Sequence, residues 1–171
     1  MGESAWFAQN AQTITVFRFL MEIEFCLRWS QTGRLASRAF KQASAYQLLS
    51  EYVDRISKFV PCRIVNAVQN DVGEKDGKLW ICDRETGALS LTSEELAVRF
   101  EKLLDSGTRK LRILIGGPDG FSETEMKLLK PDLRWSFGPL TLPHELAAVV
   151  AGEQIYRALT IIRKMPYHLR H

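Results

Sequence analysis

The chain is poor in cysteine and has no cysteine pair. Cys26, Cys62 and Cys82 are the only three in 171 residues, and no two stand in a CxxC spacing. Neither a disulfide scaffold nor a metal centre is expected, and thiols this scattered fit a reducing, cytoplasmic compartment. Long apolar runs are also missing. Nothing approaches the roughly 20 residues of a membrane span, so no membrane partner is expected. The N-terminus lacks the basic start of a secretory leader. Trp6 stands where a myristoylation signal wants Ser or Thr. No glycine turn is followed by Gly-Lys-Ser/Thr, and there is no GxGxxG, which argues against phosphate-loop and dinucleotide-fingerprint proteins.

The hydrophobic residues that are present, 46% of the total, suffice for a core without disulfides or metals. Charged residues make up 25% and the net charge is only +3, which neither demands nor excludes nucleic acid. The distribution is more informative. Between Arg28 and Arg63 seven Lys/Arg face two acidic residues, and from Ala151 to His171 four face Glu153 alone. Two such segments suit one phosphate-facing surface, or equally two solvated helix faces.

Residues 1–20 read as an N-terminal extension, and 21–171 as one domain. Ile23, Phe25, Leu27 and Trp29 alternate with Glu22, Glu24, Cys26 and Arg28, which predicts a half-buried strand. Gln31 to Ala43 is polar and small, a loop or weak helix. Leu49, Tyr52, Val53, Ile56, Phe59 and Val60 recur at helical spacing up to Pro61. Strands are expected at Arg63–Val68, Leu79–Cys82, Leu111–Ile115 and Trp135–Phe137, with a loop over Asn70–Lys78. Thr92/Glu95 and Ser122/Glu125 are capping-box pairs that open two helices. Pro143 starts the longest helix, to about Lys164, with the apolar stripe Ala147, Ala151, Ile155, Ala158 and Ile162. Strands alternating with helices predict an α/β fold with a mostly parallel sheet flanked by helices.

Three motifs carry candidate chemistry. Ile115-Gly116-Gly117-Pro118-Asp119-Gly120 follows a buried strand, where open α/β sheets bind ligands. Its glycines let main chain approach a ligand, although alone it reads equally as a tight structural turn. Trp135 to His144 joins a strand to a helix through Gly138-Pro139, whose irregular backbone leaves polar groups for a ligand; an ordinary connection has the same spacing. Glu153 and Arg157 form an i,i+4 pair, and Pro166-Tyr167-His168 stands near the C-terminus as part of either a functional tail or a frayed one.

In this order, IGGPDG, LTLPH, EQIYRA and PYH resemble the bacterial pseudouridine-N3 ribosomal RNA methyltransferases of the RlmH type, a SPOUT group. The close resemblance covers Leu111 to His168 and a weaker one Met21 to Phe100. It implies a SPOUT α/β fold whose C-terminal chain forms a trefoil knot, and a homodimer with its site at the interface. It implies S-adenosyl-L-methionine held at Cys82, at Gly116 and along Phe137, Gly138, Pro139, Leu140, Thr141 and Leu142. Cys82 enters only by resemblance; its surroundings in sequence read as core. His144, Arg157, Tyr167 and His168 are implied near methyl transfer, with Arg157 and His168 toward RNA and Tyr167 positioning. The implied substrate is a pseudouridine of large-subunit rRNA on the assembled ribosome. The chain departs from the pattern in several places, among them a longer Trp29–Ala45 stretch and a His-Leu-Arg-His ending. The second helix usual in the family, between the second strand and the strand ending at Asp83, is missing. Gly33-Arg34 replaces an earlier Gly-Lys step, and residues 1–20 are extra. The alternatives are a SPOUT enzyme acting on another RNA, a ribosome-binding homologue without catalysis, and a nucleotide phosphate-binding protein, which the missing lysine disfavours.

Overall fold

The computed structural model describes residues 21–30, 35–66, 77–85 and 87–168. The expectations for residues 1–20, for Gly33-Arg34 and for most of the Asn70–Lys78 loop lie outside them. Apolar strands of the described chain assemble into one sheet: β1 (Glu22–Leu27), β2 (Cys62–Asn66), β3 (Gly77–Cys82), β4 (Leu89–Ser90), β5 (Lys110–Ile115) and β6 (Leu133–Ser136). The order is β2-β1-β5-β3-β6-β4 and every pairing is parallel. The helices are α1 (Ala43–Ile56), α2 (Ser93–Asp105), α3 (Glu123–Leu129) and α4 (His144–Ile162), with a 3-10 turn at Ala36–Ala39.

Alternation along the strands sends side chains to two faces. Ile23, Phe25, Leu27, Trp80, Leu111, Ile113, Leu133 and Trp135 meet α1, α2 and α4 in the main core. Cys26, Ile81 and Leu114 lie on the other face beneath Phe121, Met126 and Leu129. Each fully buried Leu, Ile or Phe contributes about 1.5–3 kcal/mol.

β1 corrects one expectation. It is not half-buried: every residue from Ile23 to Leu27 is buried, and it ends before Trp29. The reason is its place between β2 and β5. Its buried acidic member, Glu24, is 5% exposed, yet it is paired. Arg112 Nε donates to its carboxylate at 2.9 Å and Arg63 Nε at 3.2 Å, with Lys110 Nζ at 3.8 Å. Burial pushes the Glu24 pKa up, but the hydrogen bonds from Arg112 and Arg63 and the charge of Lys110 outweigh it and the net shift is down.

Both capping boxes form. Glu95 N donates to Thr92 Oγ1 at 3.2 Å and Thr92 N to Glu95 Oε2 at 2.8 Å. Ser122 and Glu125 repeat the exchange at 3.3 and 2.8 Å. Such caps are worth about 1 kcal/mol. α3 ends with Lys130 at φ +45°, just before Pro131.

α4 begins one residue after Pro143 and is buried more broadly than a single stripe. Ala148, Gly152, Leu159 and Thr160 are buried with Ala151, Ile155 and Ala158, whereas Ala147 and Ile162 are only half-buried. The cause is that α4 packs between α1 and α2. Gly152 permits the close approach: a Cβ there would stand 3.1 Å from Leu49 Cδ1 on α1.

Candidate active site

A parallel sheet puts all strand carboxyl ends on one side, where α/β proteins bind ligands. Because β5, β3 and β6 are neighbours in the sheet, the loops that follow them are neighbours too. Cys82 to Glu85, Ile115 to Phe121, and Phe137 with Gly138 and Leu140 to His144 line one cleft of about 440 Å3. Of the residues proposed for cofactor contact, Cys82, Gly116, Phe137, Gly138, Leu140, Thr141 and Leu142 are brought together there. Pro139 is exposed and is not among the lining residues.

The walls are shaped by backbone. Gly116 faces Phe121 so closely that a Cβ would lie 2.9 Å from the ring edge. Gly117 and Gly120 close a tight turn, with Gly120 N donating to Gly117 O at 3.1 Å and Gly120 at φ +68°. Gly138 sits at φ +97°, a conformation that costs a side-chain-bearing residue about 1–2 kcal/mol. Ser136 Oγ brackets that bend, donating to Gly138 O and accepting from Gly138 N, both at 3.2 Å.

Two arginines hold the polar rim. Arg134 donates to Asp83 Oδ2 through Nε at 2.9 Å and Nη2 at 2.6 Å, which fixes the Asp83 carboxylate at the end of β3. Arg84 donates to Thr141 Oγ1 and so ties the β3 loop to the β6 loop. Neither arginine was singled out by sequence, because nothing in the spacing says that β3 lies beside β6. Cys82 is buried, and burial foremost, then the Asp83 charge, pushes its thiol well above the usual range. It stays a neutral wall residue and is no nucleophile.

The residues expected near methyl transfer separate into two places. His144 lines the cleft. Arg157 lies thirteen positions along α4, so about 20 Å away at 1.5 Å per residue. There Arg157 Nε donates to Glu153 Oε1 at 2.9 Å, and the guanidinium lies 4.9 Å from the Tyr167 ring centroid. The Tyr167 hydroxyl donates to the same Glu153 oxygen at 3.1 Å. Tyr156 and Tyr167 meet edge to face at 4.9 Å, and His168 Nε2 is 2.8 Å from Glu94 Oε1. Burial first, then Tyr52 and the Glu153 charge, raise the Tyr167 pKa, so the phenol keeps its proton at neutral pH. The expected Glu153–Arg157 pair is formed; within one chain it does not reach the cleft.

A wider groove of about 660 Å3 lies between α2 and the start of β6, lined by Lys78, Trp80, Arg99 and Asp132 among others. It has no glycine turn and sits away from the strand ends that open the cleft, so the smaller cleft is the candidate site. Among the described residues no helix is long and apolar enough to cross a membrane, and no group of three His, Cys, Asp or Glu is placed to hold a metal.

A parallel α/β sheet with glycine-built loops around one cleft at the strand ends is an arrangement suited to a small ligand. The family model described as "Predicted SPOUT methyltransferase" matches residues 35–168, and the chain belongs to that family. Relatives called "Ribosomal RNA large subunit methyltransferase H" are similar to it. The protein of that name from Stenotrophomonas maltophilia is 35% identical over 140 residues, 71% of this chain and 88% of its own length. One from Listeria monocytogenes is 34% identical over 149 residues, 75% of this chain and 92% of its own. A match in Xylella fastidiosa is 49% identical over 79 residues, 46% of this chain, and spans about half (48%) of that relative's length. Among solved structures, a putative methyltransferase from Legionella pneumophila with bound SAM has a TM-score of 0.37 and 12% identity, covering 82% of this chain and 67% of that one.

Proposed function

We propose that the chain is an S-adenosyl-L-methionine-dependent methyltransferase that methylates N3 of a pseudouridine in large-subunit ribosomal RNA on the assembled ribosome. The observation that carries the cofactor reading is the convergence of the Cys82, Gly116 and Phe137–Leu142 loops on one cleft. Its volume falls among small-molecule sites of about 300–1,000 Å3. Its walls mix apolar side chains (Ile115, Phe137, Leu140, Leu142) with glycine main chain that carries no Cβ. Such a lining suits a flat base and a polar amino-acid tail. The relatives' names support rRNA as substrate.

Bound there, S-adenosyl-L-methionine supplies an activated methyl group. The chain's own residues then place the acceptor nitrogen and assist loss of its proton. Tyr167 is a donor and a positioning group, since its phenol stays protonated. Arg157, held by Glu153, offers charge to RNA. His168 binds Glu94 through Nε2, which places its ring beside the start of α2, and its Nδ1 is buried without a hydrogen-bond partner. Because His144 and Arg157 stand about 20 Å apart on α4, a complete site takes the cleft of one copy and the Arg157 cluster of another. The homodimer implied by the resemblance supplies that arrangement.

The test uses purified chain, S-adenosyl-L-methionine and ribosomes that lack the modification, with nucleosides read by mass spectrometry. Methylpseudouridine is expected. Its absence overturns the substrate reading, and failure to bind S-adenosyl-L-methionine in calorimetry overturns the enzyme reading. A second reading rests on the length of the β2–β3 connection, ten residues (67–76), which is shorter than the family pattern expects. A methyl on another nucleotide would favour the same chemistry on a different RNA.

A further inference from the structure

Directly after β1, at a residue that does not itself line the cleft, stands a ring with an unusual hydrogen-bond status. Trp29 Nε1 is buried and has no hydrogen-bond partner, a state that most buried donors avoid. The ring is nevertheless held by packing. It meets His144 edge to face at 4.5 Å and Phe40 at 5.6 Å. Its Cβ is 3.8 Å from where a Cβ on Gly117 would stand. The residue before it reaches the other side of the same turn. Arg28 N donates to Ile115 O at 3.1 Å. The Arg28 guanidinium lies 5.4 Å from the Phe121 ring centroid and pairs with Glu125 at the start of α3. Phe121 is the ring that crowds Gly116. The bend after Trp29 is fixed by Ser30, which is 5% exposed, through its hydroxyl to Asn66.

Two consecutive residues thus brace two walls of one cleft. Arg28 holds Phe121 and the Gly116 turn; Trp29 fills the space between Gly117 and His144 at the head of α4. We propose that Arg28 and Trp29 are a positioning pair that fixes the spacing of the Gly116 turn and His144 across the methyl-donor cleft. This rests on reading that cleft as the cofactor site. The indole works through its shape, and its N–H is a cost, since an unpaired buried donor destabilises the fold.

The experiment is calorimetry of S-adenosyl-L-methionine with the full chain and four variants, beside thermal melts and steady-state methyl transfer. Trp29→Ala is expected to weaken cofactor affinity about 10-fold and raise KM for the cofactor, with kcat at saturation within about twofold of wild type. Trp29→Phe keeps an aromatic ring, smaller than the indole, and loses the orphan donor. It is expected to bind within about twofold of wild type and to melt about 2 °C higher or more. Arg28→Ala is expected to cost about threefold, because an exposed ion pair contributes little. Lys78→Ala breaks an exposed pair with Asp132 at the opposite end of β3 and is expected to change nothing. Wild-type affinity in Trp29→Ala overturns the proposal. So does an equal loss in Lys78→Ala, which would mean general loosening. Loss in Trp29→Phe as large as in Trp29→Ala also overturns it, since the indole N–H would then serve the ligand directly. Absence of binding by the wild-type chain is a separate result: it sinks the cleft reading, and the positioning pair with it.

Discussion

The two ends of α4 are built by different means. At the His144 end the cleft is made of main chain: a glycine turn closed by Gly120, a bend at Gly138 with φ +97°, and loops tied by Arg84 to Thr141. At the Arg157 end the features are side chains: an arginine and a phenol share one Glu153 oxygen, with aromatic rings packed around them. The first kind of site selects shape and suits a cofactor; the second presents charge and donors and suits RNA. One chain holds both kinds and keeps them about 20 Å apart. On the proposed function, binding the methyl donor and handling the acceptor should therefore be separable by mutation.

The largest separation is expected from Arg157→Ala. Methyl transfer should fall about 100-fold, the scale of one positioned polar group, while calorimetry finds cofactor affinity unchanged. Equal loss of both would make Arg157 a structural residue and dissolve the contrast. Gly138→Ala should do the converse. A side chain at φ +97° costs about 1–2 kcal/mol, so cofactor affinity should drop about 10-fold while ribosome binding is kept. Binding as tight as wild type would show that the bend is not needed. Glu153→Gln should be milder, a several-fold loss in kcat, because Arg157 and Tyr167 lose their shared anchor. The Tyr167 phenol should also titrate at lower pH by absorbance, since the Glu153 charge helps raise its pKa; an unmoved titration would argue against the shared anchor.

The smallest effect concerns acid. Backbone and side-chain hydrogen bonds from Ser122 and the Arg28 pair bring the Glu125 pKa from its ordinary 4.5 to about 2. A depressed carboxylate stabilises the folded state above its unfolded pKa, and that contribution fades as the pH falls from about 4.5 toward 2. Melts of Glu125→Gln should fall less steeply than wild type over that window. The difference should be slight, because the pair is exposed, and a parallel pair of curves would remove Glu125 from the account of the Gly116 turn.

Much of the cleft was legible in sequence because glycine and proline mark irregular backbone wherever they occur. The apolar run to Ile115 and the Ser122/Glu125 capping box place IGGPDG at a strand end, and the short Trp135 strand and Pro143 place LTLPH between a strand and a helix; the structure bears out both. The strand order was not legible. Cys82 reads as core until β3 is found between β5 and β6, and Arg84 and Arg134 are ordinary surface charges until Thr141 and Asp83 are seen opposite them. Glu24 misled for the same reason. A charge in the pattern argued for a solvated face, whereas its partners Arg63 and Arg112 arrive from β2 and β5. β4 was missed because two residues have no period.

The central claim is that one copy's cleft works with another copy's Arg157 cluster. The direct measurement is to mix two inactive variants, Arg157→Ala and Gly116→Val, in equal amounts under conditions that exchange subunits, and to follow methyl transfer. In random pairing half the dimers are mixed and one of their two sites is intact, so recovery of about a quarter of wild-type activity is expected. Verified mixed dimers that regain none would contradict the account.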